Sequence, residues 1–244
     1  MEVRNLSLSL GGKGLLENIS FSLKSGQNLA IMGESGSGKS LLARALIGLF
    51  GTQYELSAKT LCVDGEDVLG MGAEDLRLFR AKFALVLQEA SDSFYPYLNL
   101  GDMFHIVLKT HTKLNAAQRK QRAFECMRRL GFEDLELLWH SFAHQLSVGM
   151  ARRLGLALAL SSSPKYLVCD EITTSLDREN EKKIIHFLKE KKNLILITHD
   201  LNLAKELSDV ILILERGGVA QFCKSGEFFS EDNAWLRAHG RVYA

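Results

Sequence analysis

An apolar tetrapeptide, Leu29-Ala30-Ile31-Met32, runs into Gly33-Glu34-Ser35-Gly36-Ser37-Gly38-Lys39-Ser40 and then into 41–50, whose apolar residues recur at helical spacing. That order constrains the fold more than anything else in the chain. A short, solidly apolar strand is one buried on both faces, and a strand feeding a helix through glycines opens a parallel α/β unit. The octapeptide fits G-x-x-x-x-G-K-[ST]. In such a loop the glycines let backbone N–H groups converge on phosphate oxygens at the positive end of the following helix. Lys39 is then placed to reach the β- and γ-phosphates, and the Ser40 hydroxyl to coordinate Mg²⁺.

The flanking sequence supplies the rest of the architecture. Before the loop, Leu6, Leu8 and Leu10 alternate with Ser7 and Ser9, and Ile19, Phe21 and Leu23 repeat the pattern after the Gly11-Gly12-Lys13-Gly14 turn. This predicts antiparallel strands with one buried face. Short strands are expected again over 56–87, a helical stretch over 89–160, and two buried strands near 166–169 and 193–198 with a helix at 178–189 between them. Near the end, 210–214 and 219–222 read as a hairpin through Gly217-Gly218, followed by a short helix near 233–239. The fold class is therefore α/β: a phosphate-loop core on a mixed, mostly parallel sheet, an N-terminal antiparallel β lobe and an inserted helical subdomain. We expect one domain over 1–244, with core and lobe at about 1–87 and 161–244 and the helical part at about 88–160.

Three more segments carry chemistry. Tyr166-Leu167-Val168-Cys169-Asp170-Glu171 is an apolar strand ending in two carboxylates, at the end of a sheet where a doubly wound fold binds ligands. Asp170 suits support of Mg²⁺, and Glu171 is placed to polarise an attacking water. Leu146-Ser147-Val148-Gly149-Met150 precedes an arginine pair and the apolar helix 154–160, with Ser147 as an N-cap. His199 ends the strand 194–198, within reach of a γ-phosphate at the same sheet edge. Taken singly, the Ser147 segment and His199 would more often be structural, and the carboxylate pair as often structural as not.

Composition narrows the function classes. Thirty Lys+Arg against 29 Asp+Glu give a net charge of +1, too balanced for a chain that neutralises a nucleic-acid backbone. Segments such as 154–160 and 210–214 fall far short of the roughly 20 apolar residues a membrane span needs. The N-terminus carries no basic-then-apolar leader, which argues against secretion. Cys62, Cys126, Cys169 and Cys223 lie far apart without metal-site spacing and read as thiols in a reducing compartment. An N-K-x-D segment, which a GTPase would need, is missing.

Together these residues resemble the ATP-binding cassette of ABC transporters over essentially the whole chain. The resemblance implies a Walker A loop at Gly33–Ser40 with Gly33, Glu34, Ser35, Gly36, Ser37, Gly38, Lys39 and Ser40 on ATP, and Leu10 at the place of an adenine-stacking aromatic. It implies Gln88 as the Q-loop glutamine, Leu146–Met150 as the signature, Tyr166–Asp170 as Walker B and Glu171 as the catalytic glutamate. Ser175-Leu176-Asp177 would be the D-loop and His199 the switch histidine. Catalysis would fall to Glu171, His199, Gln88 and Lys39, and Mg²⁺ to Ser40, Gln88 and Asp170. Ser147, Val148, Gly149, Met150 and Asp177 would address the ATP of a second cassette.

Val148, Leu10, Ile172 and Ala90 depart from the family pattern without removing a chemical group. A β-branched Val148 would be strained if its backbone took φ > 0.

The resemblance is closest to the peptide and nickel importers. The expectation is an ATPase, with ATP and Mg²⁺, driving uptake of a metal ion such as nickel, and with the short tail favouring the nickel type. Its implied partners are two transmembrane permeases, a second ATPase subunit (or a second copy) and a solute-binding protein, at the cytoplasmic face of the bacterial inner membrane. No nucleic acid is expected. The alternatives are a peptide importer of the same subgroup, or a regulatory dimerisation subunit whose partner cassette does the hydrolysis. Phe94, Tyr95 and Tyr97 are expected to anchor the membrane partner.

Overall fold

The computed structural model describes residues 1–87, 94–174, 176–230 and 232–239. The chain forms two compact units, 1–83 with 192–244, and 84–191.

In the first unit, β1 (Glu2–Leu10) and β2 (Lys13–Ser22) form an antiparallel pair, with β5 (Thr60–Val63), β6 (Glu66–Asp67) and β4 (Tyr54–Ser57) completing the lobe in the order β2-β1-β5-β6, β4 also pairing with β1. The alternation of the sequence is broken once on each of the two long strands. Asn5 and Asn18 both adopt left-handed backbone (φ 52° each), and the register shifts around them. Asparagine tolerates that region through its short polar side chain, and here the Asn5 amide donates to Asn18 Oδ1 at 2.5 Å. The shift puts Val3 with Leu6 and Leu8 on the buried face, while Leu10 at the strand end is 38% exposed.

The second sheet of this unit centres on β3 (Leu29–Met32), every residue of which is buried. It lies parallel to β9 (Leu194–Ile197) and to β10 (Val210–Glu215), and β10 pairs antiparallel with β11 (Gly218–Lys224), a mixed and mostly parallel arrangement. Arg216 and Gly217, both at positive φ, form the two-residue turn that such a hairpin requires. Helix α1 (Lys39–Leu46) follows β3 and buries Leu42, Ala43, Ala45 and Leu46.

One element differs from the sequence expectation of strands over 56–87. Residues Ala73–Arg80 form a helix, α2, with Glu74 and Asp75 in its first turn and Arg77 and Arg80 in its last. That charge order matches the helix dipole, and Arg80 donates to the carbonyls of Ile47 and Gly48. Only Phe79 is fully buried, so the apolar periodicity that marks a helix is weak here.

The second unit holds β7 (Phe83–Val86, Phe83 lying at the boundary) beside β8 (Tyr166–Asp170), with helices α3 (Leu100–His111), α4 (Ala116–Arg129), α5 (Leu135–His140), α6 (Val148–Ser161) and α7 (Arg178–Lys189). All five helices start on a side-chain cap: Asn99, Asn115, Asp134, Ser147 and Asp177, each accepting a first-turn N–H. Trp139 packs against Phe104 and Phe124, and a Cβ at Gly101 would lie 2.4 Å from its ring, so α3 and α5 approach closely only because that residue is glycine. The C-terminal part of the first unit adds α8 (Leu201–Leu207), α9 (Ser225–Phe228) and α10 (Ala234–His239). Among the described residues, no helix is long and apolar enough to cross a membrane.

Candidate nucleotide site

In the first unit the loop leaves β3 at Gly33 (φ 143°) and enters α1 at Gly38 (φ 103°). At Gly33 a Cβ would sit 2.2 Å from the Leu214 carbonyl oxygen, so no other residue fits so close to β10. Gly38 is the N-cap of α1 and makes no side-chain cap bond, which leaves the first-turn N–H groups for a ligand. Glu34, Ser35 and Gly36 are exposed at the outer turn, and Ser37 is buried. The Ser37 N–H donates to Glu34 O at 3.2 Å, and its carbonyl accepts the Gly217 N–H at 3.2 Å, which fixes the loop to the β10–β11 turn. Among the described residues its hydroxyl has no partner. Lys39 Nζ donates to the carbonyls of Gly33 and Glu34, at 2.8 Å each, so the ammonium is folded over the loop. Ser40 stands one residue further into α1 and is half-buried. Beside the loop lies a cavity of about 640 Å³, lined by Ser35, Ser37, Glu215, Arg216 and Trp235 among others.

His199 reaches the same sheet edge by register. Ile31 pairs with Ile197 in the parallel β3–β9 ladder, so two residues on, Gly33 and His199 emerge at the same level. The Thr198 N–H donates to Ile31 O at 3.3 Å and secures that end. Asp200 then caps α8 through the N–H groups of Asn202 and Leu203, leaving His199 exposed between strand and helix. Leu10 ends β1 directly opposite Tyr54 of β4. Opposed residues of an antiparallel pair share a face, so this register sets an aromatic beside the position where sequence reasoning found none. Only the pairing reveals it; Tyr54 follows a turn-like stretch with no signal of its own.

In the second unit Asp170 closes β8 and is 7% exposed. Glu171 follows in left-handed backbone (φ 53°), uncommon for a long side chain, and its Oε2 accepts the Thr174 hydroxyl at 2.8 Å. Burial first, and then the Asp170 charge, hold the Cys169 thiol far above its ordinary pKa, so it is an inert strand residue.

Ser147 caps α6, its Oγ accepting the Met150 N–H at 3.3 Å. Val148 is the first helical residue, 63% exposed and not among the residues at positive φ, so the strain considered from sequence is not present. Asp177 caps α7 through the N–H groups of Glu179 and Asn180, and it also accepts the Asn180 side-chain amide. The Asn180 bonds, main chain and side chain, hold its carboxyl below the usual carboxylate range. Asn180 also lies against Gly149, where a Cβ would be 3.2 Å from its Nδ2, so this one residue ties the start of α6 to the start of α7. Phe94 is buried, whereas Tyr95 and Tyr97 are exposed and meet edge to face at 5.8 Å. Gln88, Ala90 and Ser175 lie outside the described residues.

The donor set fits the expected ligands. Ser40 and Asp170 offer only hard oxygen atoms, as Mg²⁺ requires, and the Gly33–Ser40 loop offers main-chain N–H groups and an ammonium to phosphate.

Comparison with known proteins agrees with this chemistry. The family model described as ABC transporter matches residues 16–174. The dipeptide transport ATP-binding protein DppD of Haemophilus influenzae is 34% identical over 241 residues, 95% of this chain and 73% of that protein. The metal-staphylopine import system ATP-binding protein CntD of Staphylococcus aureus is 31% identical over 209 residues, 83% of this chain and 77% of that protein. Among solved structures, the dimeric post-hydrolysis state of the ATP-binding cassette MJ0796 bound to ADP and Pi superposes with a TM-score of 0.77 at 26% identity, covering 92% of this chain and 98% of that one.

Proposed function

The chain belongs to the ABC transporter family and is an ATPase of that family, and on that premise we propose that it powers uptake of a short peptide or a metal chelate through partner permeases. One observation carries the catalytic half of this reading: a lysine-bearing phosphate loop and His199 emerge at the same level from adjacent parallel strands. The relatives named for dipeptide and metal-staphylopine transport support the cargo class. Nickel uptake is the narrower reading.

The roles follow from the residues. Main-chain N–H groups of 33–40 cradle the phosphates of ATP, and Lys39 exchanges its two loop carbonyls for phosphate oxygens. Ser40, Asp170 and Gln88 would hold Mg²⁺, which neutralises phosphate charge when bound. Glu171 accepts the proton of the attacking water, and His199 donates a hydrogen bond to the phosphoryl group being transferred. Tyr54, beside Leu10, takes the adenine face. Ser147, Val148, Gly149, Met150 and Asp177 serve the ATP of a second cassette, homologous or identical. Both units act as one ATPase domain, docked through Tyr95 and Tyr97 to permeases at the cytoplasmic membrane face, with a solute-binding protein delivering cargo.

Two measurements test this. Glu171→Gln should lower turnover of the assembled complex by at least about a hundredfold while ATP still binds; unchanged turnover would remove Glu171 from the mechanism. Cells lacking the chain should lose uptake of labelled dipeptide or of chelated nickel. Loss of nickel uptake alone selects the metal, loss of dipeptide uptake alone selects the peptide, and loss of neither rejects the cargo class.

A further inference from the structure

The turn between β10 and β11 touches both the phosphate loop and the N-terminal lobe. The ladder of this hairpin shifts register between Ile213 and Leu214, and a shift of that kind re-aims the residues that follow it. Leu214 presents its carbonyl to Gly33, and three residues on, the Gly217 N–H donates to Ser37 O at 3.2 Å. On its other side Gly217 faces β2. Its carbonyl accepts the Glu17 N–H at 2.8 Å, and a Cβ on it would lie 2.5 Å from Leu15 O. With φ at 80° and main chain on both sides, only glycine fits. One residue therefore joins the loop, the hairpin and β2, which are far apart in sequence.

The joint is supported on either side. Phe21 of β2 packs on Phe222 of β11 at 5.9 Å, and the Leu16 side chain, 1% exposed, fills the space where Gly38 would carry a Cβ. Leu16 pairs with Leu8 of β1, and on the far side of β1, Leu8 and Leu10 pair with Leu56 and Tyr54. Paired main chain thus runs from Tyr54 through β1 and β2 to Gly217, and one further hydrogen bond reaches the phosphate loop. We propose that Gly217 is a positioning residue: it sets the spacing between the adenine face of the lobe and the phosphate loop, so that base and phosphates of one ATP are met together. This rests on the reading that the lobe takes the adenine. A ligand that spans lobe and loop needs that spacing, and a ligand made of phosphates alone does not.

The test compares two ligands binding to the full chain at equilibrium with Mg²⁺: ATP, and inorganic tripolyphosphate, which has the phosphates and no base. Gly217→Ala should weaken ATP about tenfold and tripolyphosphate by less than about twofold. Glu17 is exposed on β2, an edge strand, and Glu17→Pro removes the N–H that meets Gly217. It should weaken ATP about threefold with tripolyphosphate unchanged, and it carries the comparison if Gly217→Ala does not fold. Gly65→Ala controls for backbone strain, because Gly65 has nearly the same φ, 82°, with nothing within 4 Å of a Cβ. It should bind both ligands as the parent does. Equal losses of ATP and tripolyphosphate in Gly217→Ala, or no loss of either, overturn the inference, and with ATP weakened in Tyr54→Ala they leave the adenine site standing. A selective loss of ATP in Gly217→Ala, with parental ATP binding in Tyr54→Ala, upholds the joint and moves the base contact to another residue of the lobe.

Discussion

Gly33, Gly38, Lys39 and Ser40 are fixed by an eight-residue pattern, and the structure adds only why Gly33 must be glycine: the Leu214 carbonyl fills the space of a side chain. Tyr54 is the opposite case. Its pairing with Leu10 joins strands distant in sequence, and no local pattern announces it. If the Tyr54 ring takes the adenine face, Tyr54→Ala removes a stack worth ~1 kcal/mol, about fivefold in KM for ATP, with kcat little changed. Tyr54→Phe keeps the ring and should keep the parental KM. Equal KM values in all three proteins would return adenine binding to other residues.

At the scale of elements, what was legible follows the strength of the periodic signal. Strand β3 and helix α6 are apolar enough to be read directly, and Ser147 was recognisable as a cap. Helix α2 was read as strand because it buries a single large side chain and is specified by charge order and by contact with the end of α1. The start of α7 rests on Asp177, which gives a test at this scale. Its carboxyl is held below the ordinary range by the Asn180 bonds first of all. A depressed native pKa contributes stability that is full above the unfolded value, near 3.9, and is lost as pH falls through the lower native value. Asp177→Asn, which cannot titrate, should therefore melt below the parent at neutral pH. The gap should narrow on acidification below about pH 4. A gap independent of pH would mean that the charge of Asp177 does not support the cap. The same cap orients Asn180 against Gly149, so loss of the aspartate should also loosen the start of α6.

At the scale of the molecule, the residues given roles in the proposed chemistry fall in both units. The phosphate loop, His199 and Tyr54 belong to 1–83 with 192–244, and Asp170, Glu171, Ser147 and Asp177 to 84–191. Ser147 and Val148 are exposed at the start of α6, and in the proposed assembly they meet the second cassette's ATP. A substitution there must then act across subunits. Ser147→Arg should leave the affinity of the isolated chain for ATP at the parental value, since its own phosphate loop is untouched. In the assembled complex the same change should lower hydrolysis at the partner's site at least tenfold, on the order of an oxyanion-type donor lost. Pairing it with Lys39→Ala in this chain separates the sites, because the first change disables the partner's nucleotide and the second this chain's own. Hydrolysis that survives Ser147→Arg in full would mean that α6 does not reach a second nucleotide, and that this chain completes its site alone.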